Sequence, residues 1–165
     1  MTLMGVSSKP LGSTPALGTI HQAPMPPWRT EDEAKDYRDD PKQFLLDRCA
    51  LWLPKINIFH NWIITATYWL PDYLAVPNTD KKLYLPDKTH DEALWQGKIG
   101  LVIAKGKLAF RDSDYIKFEG QNIEIGEWAF YDIMEGRQFT IERVHCRRLK
   151  DTQIVGTIED PRLVY

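Results

Sequence analysis

Trp95-Gln96-Gly97-Lys98-Ile99-Gly100-Leu101-Val102-Ile103-Ala104-Lys105-Gly106 is the stretch on which the reading of this chain turns. Ile99, Leu101 and Ile103 alternate with Gly100, Val102 and Ala104, glycines bracket the run, and no proline interrupts it. It therefore reads as a strand buried on at least one face. The small residues Gly100 and Ala104 on its second face admit close approach by another backbone or side chain, as in the curved sheet of a small barrel. Some twenty residues on, Ile123-Glu124-Ile125-Gly126-Glu127-Trp128-Ala129-Phe130-Tyr131 alternates up to a glycine and then resumes. A glycine that interrupts alternation without ending it marks a bulge or a corner.

A chain of 165 residues is one domain, or one domain with an appendage, and at that size needs no staples to bury a core. Cys49 and Cys146 form no CxxC pair and read as two reduced thiols, which fits a protein assembled in a cytoplasm. A net charge of −2, with the lysines and arginines scattered, argues against a nucleic-acid binder that relies on neutralising phosphates. Met1 to Val6 lacks the basic-then-apolar order of a signal peptide, and no run approaches a membrane span.

Three units follow along the chain. Residues 1–29 carry five prolines with glycines and serines between them, so they read as an extended arm. Only Lys9 and Arg29 are charged there, while apolar residues punctuate the arm like anchors, chiefly Leu3, Leu11, Leu17, Ile20, Met25 and Trp28. Residues 30–55 form a helical linker. Thr30 with Glu33 fits a capping box, Asp40-Pro41 ends one helix and caps the next, and Leu45, Cys49 and Trp52 recur at helical spacing. Asp36, Asp39 and Asp40 read as a solvated face. Residues 56–165 are the β body, opening with Trp62 to Trp69 and closing with Val144 to Leu149 and Ile154 to Ile158 as strands. Glu135-Gly136-Arg137 reads as a hairpin tip joining Trp128–Ile133 to Phe139–Ile141.

The two strands quoted first resemble those of the GroES-like (chaperonin-10) family, in which a G-x-V-x-x-V-G strand is followed by V-x-V-G-D-x-V. They stand here as Gly97 to Gly106 and Ile123 to Ala129. The resemblance runs from about Trp62 to Tyr165, and the segment His145 to Pro161 is similar to the C-terminal part of bacteriophage-encoded GroES-like proteins. It implies a mainly β fold, a GroES-like partly open β-barrel carrying the N-terminal arm and the short helical segment. In co-chaperonins the long connection Leu70 to Trp95 holds a mobile loop whose apolar tripeptide docks on a chaperonin ring. Leu83-Tyr84-Leu85 stand at that tripeptide's place, with Lys81-Lys82 where the family has glycines. The same residues also read as a hairpin edge guarded by lysines.

No catalytic constellation is present. His21, His60, His90 and His145 have no ligand spacing, and there is no nucleophile elbow, P-loop or dinucleotide fingerprint, so the expectation is a non-enzyme without metal or cofactor. The preferred expectation is a virion structural protein, a capsid decoration, cement or connector subunit whose arm grips neighbouring subunits, with homo-oligomers in view. The alternative is a phage-encoded co-chaperonin that caps a host chaperonin. An oligosaccharide- or nucleic-acid-binding barrel ranks third, because of the acidic balance, and no membrane partner is expected.

Overall fold

The computed structural model describes residues 25–71, 73–75, 78–84 and 98–164. Two short helices, α1 (Glu31–Asp39) and α2 (Pro41–Ala50), precede eight strands: β1 (Trp62–Thr67), β2 (Tyr73–Ala75), β3 (Lys82–Tyr84), β4 (Ile99–Lys105), β5 (Trp128–Tyr131), β6 (Arg137–Ile141), β7 (Val144–Lys150) and β8 (Ile154–Ile158). The fold is mainly β. Six strands form one antiparallel sheet in the order β6-β7-β1-β4-β5-β8, and β2 and β3 pair by themselves as a separate hairpin. Among the described residues the six-stranded sheet does not close, because β6 pairs only with β7 and β8 only with β5.

The expected start and stop signals are in place around the helices. The Thr30 hydroxyl accepts from the Glu33 N–H at 3.2 Å, and the Asp40 carboxylate accepts from the Gln43 N–H at 2.9 Å with Pro41 opening α2. Glu33 does not return to its own cap residue. Its carboxylate accepts from the Arg29 N–H one position earlier, at 2.6 Å, and from the Arg48 guanidinium at 2.8 Å, which ties α1 to both its entry and α2. Ala34, Tyr37, Leu45 and Cys49 face inward, and they share one core with Ile64, Ala66, Leu101, Ile103, Trp128, Val144 and Cys146 of the sheet.

β4 is buried on both faces through Ile103. On the second face the small residue at Gly100 is used as its position suggests: a methyl there would lie 2.6 Å from Thr65 Oγ1 and 2.8 Å from the Tyr131 hydroxyl. Of the run Ile123–Tyr131 only Trp128–Tyr131 is strand. Gly126, at φ +93°, makes the corner, where its N–H donates to the Val102 carbonyl at 2.7 Å while the Val102 N–H donates to Glu127 at 2.9 Å. Ile123, Ala109 and Phe110 then fold over Ile63, Val102 and Ala129 as a second, smaller core. Buried Asp151 pins that cover, accepting from the Asn61 amide at 2.8 Å and from the Phe110 N–H at 3.0 Å.

The expected hairpin at Glu135-Gly136-Arg137 is not formed. β5 and β6 lie at nearly opposite ends of the sheet, and residues 132–136 cross its second face between them. The Arg147 guanidinium, 1% exposed, holds that crossing by donating to the carbonyls of Ile133 at 3.0 Å and Glu135 at 3.2 Å, and it lies 5.1 Å from the Tyr131 ring. The true hairpin is one strand later, where Glu142 (φ +47°) and Arg143 (φ +69°) join β6 to β7 in a two-residue turn with both residues left-handed.

Gly136 tests the crossing. Its φ is +74°, and a methyl there would meet the Arg148 carbonyl at 2.4 Å, whereas Gly120 has φ +82° with open space around it. Gly120→Ala should cost about 1 kcal/mol, the left-handed penalty alone, and Gly136→Ala about 2–3 kcal/mol or more, read from urea midpoints.

Candidate interaction surfaces

The described residues hold no group of three or more metal-ligating side chains, and no described helix is long and apolar enough to cross a membrane. Cys49 and Cys146 are free and buried; burial pushes the Cys49 thiol up to about 12 and the Cys146 thiol higher still, which keeps both protonated near neutral pH. The features that remain are surfaces.

The first is the root of the arm. Of the expected anchors, Leu3, Leu11, Leu17 and Ile20 lie outside the described residues, while Met25 is 45% exposed. Trp28, expected to grip a neighbour, is instead spent on the chain's own core: it is 7% exposed, 4.9 Å from the Tyr37 ring and 6.2 Å from Trp69. The reason is local. Tyr37 donates its hydroxyl proton to the Trp69 carbonyl at 3.0 Å and accepts from the Trp69 N–H at 2.7 Å, so the end of β1 and α1 together form an aromatic socket into which the residue before α1 falls.

The root is also held by the β6–β7 turn. The Arg143 guanidinium donates to the carbonyls of Pro26 at 3.3 Å and Trp28 at 3.1 Å, and His145 Nε2 lies 2.9 Å from the Met25 carbonyl. His145 stacks on Trp69 at 5.4 Å, and its Nδ1 lies 3.2 Å from the Thr140 hydroxyl, so a ring protonated on Nε2 donates to the arm and accepts from Thr140. Arg29 and Glu142 add an exposed pair at 3.9 Å. Sequence reasoning missed Arg143 and His145, since nothing local marks a residue whose partners lie more than a hundred positions upstream.

The second surface is the β2–β3 hairpin. Lys81, Lys82, Leu83 and Tyr84 are all exposed, Leu83 at 57%, and Leu85 lies outside the described residues. Lys82–Tyr84 is a strand paired with Tyr73–Ala75, which places lysine and the apolar pair on one short ladder. Of the remaining large aromatics, Tyr84 is exposed and Trp69 is buried; Tyr165 lies outside the described residues.

A third feature is a groove of about 610 Å³ between α1 and α2, walled by Asp36, Asp39, Asp40 and Asp47 over Phe44 and Leu51. The three aspartates expected to form a solvated face are exposed there.

Comparison with protein-family models finds none that matches this chain, and comparison with curated proteins finds no match either.

Desolvation lowers the His145 pKa below its ordinary 6.5, with the hydrogen bond to Met25 pulling the other way. The unfolded state therefore binds the extra proton first. The stability that the neutral ring contributes is present in full above 6.5 and is lost as pH falls through the folded value. Urea midpoints should drop between about pH 7.5 and pH 5, and His145→Gln should flatten that stretch of the profile. Trp28→Ala should cost about 3 kcal/mol or more and expose residues 25–30 to proteolysis.

Proposed function

We propose that the chain is a non-enzymatic structural subunit of a virion, a capsid decoration, cement or connector protein with a GroES-like body, assembled in the host cytoplasm and reaching its neighbours through residues 1–24. The observation that carries the reading is the fixed arm root. An arm can hold a neighbouring subunit only if its base is anchored, and this base is anchored three ways: by Trp28 in the aromatic socket, by Arg143 on two carbonyls and by His145 on a third. The apolar residues Leu3, Leu11, Leu17 and Ile20 precede that base and supply the grip on a neighbour. A mainly β sheet covered on both faces suits a rigid body for such a subunit, and the family resemblance supplies the phage context.

A second reading has its own observation. Leu83 and Tyr84 stand exposed on a hairpin that pairs with no other strand of the sheet, and a docking element needs that presentation. Under this reading the protein is a phage-encoded co-chaperonin that seats Lys81 to Leu85 on a host chaperonin.

Deletion of residues 1–24 separates the two. It should weaken attachment to capsids at least about tenfold while thermal melting of the body is unchanged, since about 1.4 kcal/mol of lost contact already gives that factor. Leu83→Asp should leave capsid attachment intact. Attachment that survives the deletion, together with chaperonin binding that Leu83→Asp abolishes, would establish the co-chaperonin instead.

A further inference from the structure

At the end of the sheet's helix-covered face, past the edge of the helical layer, three cations converge. Arg137 of β6 sits directly opposite Arg148 of β7 on the same face, and Lys150 follows two residues along β7. Arg148 and Lys150 lie 4.5 Å and 5.5 Å from the centre of the Trp62 ring. Like charges in direct cross-strand register destabilise a sheet. Among the described residues none of the three has a carboxylate partner. Among the described residues these three cations thus concentrate positive charge that no carboxylate offsets, which suits an anionic surface on a second molecule.

The chain itself holds the complementary surface. In the α1–α2 groove the one lining cation, Arg48, is engaged by Glu33 at 2.8 Å, which leaves Asp36, Asp39, Asp40 and Asp47 to set the sign, above the apolar Phe44 and exposed Leu51. No ion pair joins groove and patch within one molecule among the described residues. We propose that the chain associates head to tail, the Arg137–Arg148–Lys150 patch of one copy seating on the α1–α2 groove of the next. The two surfaces differ, so the contact is heterologous and builds rings or open rows rather than a two-fold dimer. Nucleic acid fits the patch less well. Two cations already cover the Trp62 ring, so it offers no stacking platform, and the net charge of −2 repels a polyanion at long range. The inference does not need the virion assignment, because it concerns purified protein alone.

Sedimentation velocity of the full chain over a concentration series tests it. Wild-type protein should form species larger than a dimer at low salt and revert to monomer in about 1 M salt, where the screening length falls to about 3 Å. R148E/K150E and D36K/D39K should each weaken association at least about tenfold. Circular dichroism should show both variants folded. In an equimolar mixture of the two, the intact patch of one meets the intact groove of the other and the reversed patch meets the reversed groove, so the mixture should associate although neither variant does alone. Combining all four substitutions in one chain exchanges the charges and should restore the larger species. A monomeric wild type at low salt, association that either variant leaves unchanged, or a mixture that stays monomeric would overturn the proposal. So would binding of a single-stranded oligonucleotide that R148E/K150E abolishes while the wild type alone stays monomeric.

Discussion

Arg147 is sealed between the sheet and the connection that crosses it, and it ties that connection to β7. Bringing a guanidinium out of water costs several kcal/mol unless its protons find acceptors. Here the acceptors are carbonyls of residues 133 and 135, which a tight β5–β6 hairpin would keep for its own turn. Running the connection across the second face gives the guanidinium two carbonyl acceptors for Nη1, while its plane lies over the Tyr131 ring. Burial pulls the Arg147 pKa below its ordinary value, with Tyr131 opposing, while the same burial pushes the Tyr131 hydroxyl up, so the pair rests as guanidinium and neutral phenol. The Thr65 and Tyr131 hydroxyls, 3.4 Å apart, complete this polar layer inside an otherwise apolar core.

The opposite face is ordered by aromatic packing. Tyr37 stacks on Tyr68 at 6.1 Å, meets Phe44 edge-on at 5.4 Å and bonds the Trp69 backbone, so one side chain joins both helices to the end of β1. Each such ring contact contributes about 0.5–1.5 kcal/mol beyond its buried area. The helices therefore belong to the same core as the sheet. Residues 25–30 inherit a fixed course from that arrangement, because Trp28 packs against Tyr37 and Trp69.

Much of this was readable in the sequence. β4, β1, β7 and β8 follow from uninterrupted β-branched and aromatic runs, and the two helix starts follow from Thr30 and Asp40, because these signals are local and their partners lie within four residues. The close approach at Gly100 was also readable, since a glycine within a buried strand has few other uses. The β5–β6 connection was misread because Gly136 looks like a hairpin tip; its positive φ serves the passage over Arg148 instead. The real tip, Glu142-Arg143, carries no Asn or Gly to advertise a turn of that type. Trp28 was assigned outward because an apolar residue in a proline-rich arm shows no periodicity that would place it in a core. The hairpin edge at Leu83 and Tyr84 was readable from Lys81 and Lys82 just before them, and the two residues stand exposed on β3.

The cost of that unadvertised turn couples the arm to the sheet. Two non-glycine residues in the left-handed region cost about 1–2 kcal/mol each. Hydrogen bonds from a charged donor contribute about 1.5–3 kcal/mol each, and Arg143 makes two of them to the arm root from its strained position. The two magnitudes are comparable, so the turn is held in its conformation by the same contacts that hold residues 26 and 28. A pull on the arm that broke those contacts would leave the strain uncompensated, and the first element to feel it would be β6, an edge strand with pairing on one side only. Tension applied at residue 25 thus reaches β7 through its own turn, and β7 lies against β1 in the middle of the ladder. Residues 25–28 are thus coupled, through the turn, to the pairing of β6, β7 and β1, and not held by their own few contacts alone.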